Sequence, residues 1–144
     1  MINLQRALLT GVLVFAAQVA IGQPMGGGPR AGGRYMHLFD PKTVGEFKGE
    51  IVKVEKVSMM DGMTGMHAVF RTAGGEFSLH LGPDWFIENQ ETKLAPGDHI
   101  EVTGSKANTR MGPAIIALEV RRGDDVMKLR DAAGTPYWVA WRRR

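Results

Sequence analysis

Nine consecutive residues, Met59-Met-Asp-Gly-Met-Thr-Gly-Met-His67, carry four thioethers and one imidazole. Thioether sulfur and neutral imidazole suit a soft ion such as Cu(I) or Ag(I) far better than a hard cation. Met59, Met60, Met63, Met66 and His67 are therefore candidate metal ligands, with His80 and Met111 as further donors if the fold brings them near. Methionine is also a flexible apolar filler, and a loop of Met and Gly can act as a lid or an adhesive surface without any metal. That use is the ordinary one, so the working expectation is no resident cofactor, with copper as the alternative. His37 and His99 stand apart from any such company.

No reaction can be assembled from the other residues. Ser58, Ser78 and Ser105 sit in strand-like contexts without a nucleophile elbow, and the chain has no phosphate loop and no dinucleotide fingerprint. It has no cysteine, which removes disulfides, thiolate ligands, a lipid-modified N-terminal cysteine and covalent c-type haem. The expectation is a binding protein, not an enzyme.

The elements that must position these residues can be read from apolar alternation. Val44 to Val57 reads as one long strand whose inward phase changes from Phe47, Gly49 and Ile51 to Val52 and Val54, which calls for a bulge beside a glycine. His67 to Thr72 and Glu76 to Leu81 form a hairpin. Centring it on Gly74-Gly75 pairs Phe70 with Leu79 inside and keeps Arg71 outside. The outer face of this pair then holds His67, Val69 and Arg71 beside Ser78 and His80, with the two histidines as diagonal neighbours. Gly82-Pro83 ends the third strand, and Pro83 to Gln90 becomes a short helix whose Trp85, Phe86 and Ile87 plug one barrel end.

After the turn Lys93 to Asp98 come a strand His99 to Gly104, a loop Asn108 to Pro113, a strand Ala114 to Arg121 and a possible arm Asp125 to Arg130. Three strands, one helix and two strands is the order of the OB fold. The expected fold class is all-β, an OB-fold-like five-stranded barrel with one short helix between strands 3 and 4. The expected ligand-binding face is His67, Val69, Arg71, Ser78, His80 and, from the last loop, Arg110. Tyr137, Trp138 and Trp141 are expected to pack on the barrel, with a partner-binding peptide as the alternative.

Residues 1–22 read as a signal peptide: Arg6, an apolar run Ala7 to Ala17 too short to span a bilayer, and small residues before Gln23. Residues 23–34 read as a flexible Gly/Pro-rich tether, 35–141 as the folded domain and 142–144 as a basic tail. The expected location is periplasmic or secreted, with no membrane span after cleavage. Of the 18 Lys and Arg, Arg6, Arg30, Arg34 and Arg142 to Arg144 lie outside Tyr35–Trp141, which keeps 12 basic residues against all 15 acidic ones, a net of −3. A surface of that sign does not attract phosphate backbones, so single-stranded nucleic acid is the weaker expectation and a periplasmic protein or small ligand the stronger.

The segments His80-Leu-Gly-Pro-Asp-Trp-Phe86, Pro96-Gly-Asp98 with Val102-Thr-Gly104, and Leu129-Arg-Asp-Ala-Ala-Gly-Thr-Pro-Tyr-Trp138 resemble a group of small exported bacterial OB-fold proteins that includes the MamS/MamX-type domain of magnetosome proteins. The resemblance runs from Asp40 to Trp138. It implies a periplasmic OB-like barrel with a non-catalytic accessory or binding role, often near redox or metal-handling systems, and no catalytic residues. The chain lacks the Cys-x-x-Cys-His haem motif of some multidomain relatives.

Overall fold

The computed structural model describes residues 38–59 and 62–143, the last two by backbone alone. The expected signal peptide and tether, along with Met60, lie outside the described residues. Six strands and one α-helix follow in order: β1 Val44–Ser58, β2 Thr64–Thr72, β3 Gly75–Pro83, α1 Asp84–Glu88, β4 His99–Thr109, β5 Gly112–Arg122 and β6 Asp125–Lys128. The sheet runs β3-β2-β1-β4-β5-β6, and a parallel β3–β5 pairing closes β1 to β5 into a ring. That ring, with its helix between β3 and β4, is the OB-fold barrel that the element order implied. Among the described residues no helix is long and apolar enough to cross a membrane.

Alternation places Phe70, Leu79, Leu81, Val102, Ile115 and Val120 in the barrel interior, where each is almost fully removed from water. Phe86 and Ile87 of α1 join this core, whereas Trp85, expected to share the plug, is 37% exposed. A five-residue helix can turn only part of its surface inward.

Three local expectations are corrected. The extra residue of β1 is Val52, exposed at a register shift between Ile51 and Lys53, and Val54 alone returns to the inward phase. Gly49 has a different role: a Cβ there would lie 2.0 Å from the Arg71 carbonyl oxygen, so only glycine lets the strands cross this closely. The β2–β3 hairpin turns at Ala73-Gly74 instead of Gly74-Gly75, and Phe70 therefore pairs with Phe77, not Leu79. The Thr72 hydroxyl sets this turn by accepting from the Gly74 N–H and donating to the Gly75 carbonyl, with Gly75 at φ 121°. The displacement is two residues, so parity survives: Phe70 is buried and Arg71 exposed. The β4–β5 hairpin repeats the device with Thr109 and Gly112, which makes the expected loop a tight tip at Arg110-Met111.

Candidate binding face and its covered end

The outer wall of β2 and β3 carries three cross-strand pairs: His67 with His80, Val69 with Ser78, and Arg71 with Glu76. The hairpin turn at Ala73-Gly74 makes the histidines direct partners instead of the expected diagonal neighbours, and a register shift follows between Met66 and His67. Their rings stack with centroids 4.0 Å apart and an interplanar angle of 17°. The row continues across the wall, since Glu55 of β1 pairs with His67 and Ile116 of β5 with His80.

The chain covers this end itself. Arg130, just beyond β6, is buried, and its guanidinium donates to the carbonyl oxygens of Leu81 at 3.2 Å and Ala117 at 2.5 Å. These are the first carbonyls past the point where the β3–β5 pairing stops at His80 and Ile116, so Arg130 caps two strand edges that have parted. It also lies 4.8 Å from the Trp138 ring. Trp138 packs on the bare backbone of Gly82, where a Cβ would come within 2.9 Å of the indole. The segment before β1 meets the same cover. Phe39 lies against Gly134, and buried Ser105 accepts from the Asp40 N–H and shares a hydrogen bond with the Thr43 hydroxyl.

Electrostatics follow from this burial. Desolvation, then the neighbouring His67, then Arg130 push the His80 pKa down to about 3. The His67 pKa is also lowered by burial and by Arg130, against the opposing pull of Glu55. Both imidazoles are therefore neutral at pH 7, held beside a permanent cation.

Of the proposed soft-metal donors that are described, Met66 and Met111 lie apart from the others. Met66 points into the barrel, lining a cavity of about 90 Å³ with Val54, Leu81, Ile87 and Leu94. Met111 is 95% exposed at the β4–β5 tip. Because Ala114 pairs with Ser78 while Gly65 pairs with Pro83, that tip lies roughly 20 Å along β3 from the β1–β2 loop. Arg110 is displaced from the histidine end with it. Met59 remains near His67: a Cβ on Gly65 would sit 3.0 Å from the Met59 Sδ and 3.6 Å from the His67 Nε2. Met63 closes the same loop, its carbonyl accepting from the Met59 N–H. Among the described donors, Met59, His67 and His80 therefore lie close together, with the Glu55 carboxylate and the Arg130 guanidinium exerting opposite pulls on His67, while Met66 and Met111 do not join them. Among the described residues no three His, Cys, Asp or Glu side chains cluster as a metal site.

The opposite end of the wall is open. Val69 and Ser78 are half-buried, and Arg71 and Glu76 form a 3.2 Å ion pair in solvent. Phe70 and Phe77, the aromatics of these two strands, are both interior, so the wall offers bases no stacking platform. Sequence reasoning missed Arg130, Gly82 and Glu55. The signal was an arginine placed directly after the alternating Met127 and Leu129, eight residues before a tryptophan.

A family model described as the MamS/MamX magnetosome protein family matches residues 43–127. No curated protein matches the chain. Among solved structures, the solution NMR structure of the second OB-fold domain of replication protein A from Methanococcus maripaludis is 18% identical, covering 59% of this chain and 88% of that one with a TM-score of 0.42. At that level nothing is carried over from it.

Proposed function

From the premise that the chain belongs to the MamS/MamX magnetosome protein family, we propose that it is an exported, non-catalytic accessory module that binds a periplasmic protein through the open end of the β2–β3 wall. The division of that wall carries the reading. Its histidine end is occupied by the chain's own Arg130 and Trp138, while Val69, Ser78 and the Arg71–Glu76 pair face outward from a rigid hairpin. A flat strand surface with one mixed-charge pair suits a protein epitope better than a small ligand, which needs a concave site of several hundred Å³. The net charge of −3 over Tyr35–Trp141 and the interior Phe70 and Phe77 weigh against single-stranded nucleic acid.

The test is site-specific photo-crosslinking in the source organism, with the reactive group at position 69 or 78 and a control at Asp124 in the β5–β6 turn. The reading requires one discrete protein adduct from 69 and 78, absent at 124 and lost when Arg71→Glu is added. Adducts of equal yield at all three positions, or none, would reject it.

A further inference from the structure

Two bare glycines mark the covered end of the outer wall, Gly82 on β3 and Gly65 on β2, and they are covered differently. The Trp138 indole lies over Gly82. At Gly65 the atoms nearest to the place of a Cβ are the Met59 Sδ at 3.0 Å and the His67 Nε2 at 3.6 Å. A thioether sulfur and an imidazole nitrogen thus share one point above the backbone.

Both donors are held there by the fold. His67 pairs with His80 across β2 and β3, and the stacked ring, 4.0 Å away, fixes the plane of its imidazole. Met59 is anchored at the root of the β1–β2 loop: its N–H donates to the Met63 carbonyl at 2.8 Å, and its own carbonyl accepts from the Gly62 N–H at 3.0 Å.

The donor types select the ion. Thioether sulfur takes soft ions such as Cu(I) and Ag(I), and imidazole accompanies it. A structural zinc ion needs four ligands of other kinds, and among the described residues no three His, Cys, Asp or Glu side chains gather to begin such a set. The charges nearby permit a cation. Arg130 is bonded to the Leu81 and Ala117 carbonyls on the β3–β5 side, whereas Glu55 stands opposite His67 on β1, and its pull on His67 exceeds the push of Arg130. Burial also keeps the imidazole unprotonated at pH 7, the form that binds metal.

We propose that Met59 and His67, the latter held by His80, form a binding site for one soft monovalent cation, Cu(I) or Ag(I). The site lies at the opposite end of the wall from Val69 and Ser78 and its test involves no protein partner, so either reading can fail without the other.

Silver(I) is the first probe, because it stays monovalent without a reductant. The full chain, labelled with carbon-13 at its methionine methyls, is titrated with silver nitrate in chloride-free buffer and followed by NMR. One equivalent should shift the Met59 methyl and the His67 ring signals together, leaving Met66 and Met111 in place. Competition with bicinchoninate then measures Cu(I) affinity. Met59→Leu keeps the apolar bulk and removes the sulfur, and should weaken binding roughly tenfold or more, at least what losing an outer partner costs a metal site. His67→Phe keeps a ring against His80 and should do the same, whereas Met111→Leu should change nothing. Far-UV circular dichroism checks each fold, and Met59→Leu alone decides if His67→Phe does not fold. No silver-dependent shift at Met59, a shift there without His67, first binding at Met111, or Cu(I) affinity unchanged in Met59→Leu would overturn the proposal and leave Met59 as packing over Gly65.

Discussion

At one end of the β2–β3 wall, His67 and His80 stack beside Arg130, and Trp138 lies on Gly82. Four residues further along each strand, Arg71 and Glu76 make their ion pair in water. All four side chains occupy outward positions of the same two strands, set by the same alternation. The difference comes from a segment about fifty residues later in the chain, which lies over one end and leaves the other bare. Outward in a barrel strand thus means only away from the barrel core. Whether such a residue meets water, and so whether its charge is permitted, is decided non-locally. This explains why the covered end holds two imidazoles that can be neutral and one guanidinium that caps carbonyls, while the open end tolerates a full ion pair.

Acid breaks the comparison with the largest expected effect. The His80 pKa is depressed from an ordinary 6.5 to about 3, so the unfolded chain binds a proton there more readily than the folded one. The resulting stability is fully present above pH 6.5, is lost progressively as pH falls towards 3, and is level below that. The difference corresponds to a loss on the order of 4 kcal/mol by pH 3. Urea denaturation of parent and His80→Gln at several pH values isolates this from the titration of surface carboxylates. The stability gap between the two proteins should shift in favour of His80→Gln as pH drops below 6.5, and a gap that does not move with pH would show that His80 is not held neutral by its surroundings.

Arg130→Met comes next. It keeps apolar bulk over Trp138 but leaves the Leu81 and Ala117 carbonyls without their charged donor, so a destabilisation of about 3 kcal/mol is expected. It should also raise the pKa of both histidines, because removing the neighbouring cation lets them accept protons more readily. Imidazole NMR titration reads that shift independently of stability. A variant as stable as the parent, with unmoved histidine resonances, would mean that Arg130 does not hold this end.

What was legible follows the same division between local and distant causes. The phase change in β1, the Gly82-Pro83 break and the inward set Phe70, Phe77, Leu79 and Leu81 are properties of short windows, and the barrel order follows from them. The hairpin displacement was less legible, because Ala73-Gly74 and Gly74-Gly75 preserve the same parity. Only the Thr72 hydroxyl distinguishes them, by bonding into the turn. The Met-rich run gave composition without direction. Met66 turns inward by strand parity that began earlier than expected, at Thr64, and Met111 is carried away by the parallel register of β3 with β5. The cover of the histidine end was not legible, because nothing near His80 indicates that Arg130 will lie beside it.

The smallest expected effect, at the open end, sharpens the contrast. Arg71→Gln removes one partner of an ion pair in which both side chains are more than half exposed. Water and salt already screen such a pair, and the freed side chains recover rotamer entropy, so the expected change in unfolding free energy is below about 0.5 kcal/mol and smaller still at 1 M salt. The same substitution at the histidine end would be severe, which is why equal chemistry at two places on one wall makes the comparison decisive. Urea denaturation at low and high salt measures it. A loss above roughly 1.5 kcal/mol that persists at high salt would mean that Arg71 is desolvated like Arg130. The Val69–Ser78 end would then be covered too, and the surface proposed for partner binding would already be in use by the fold.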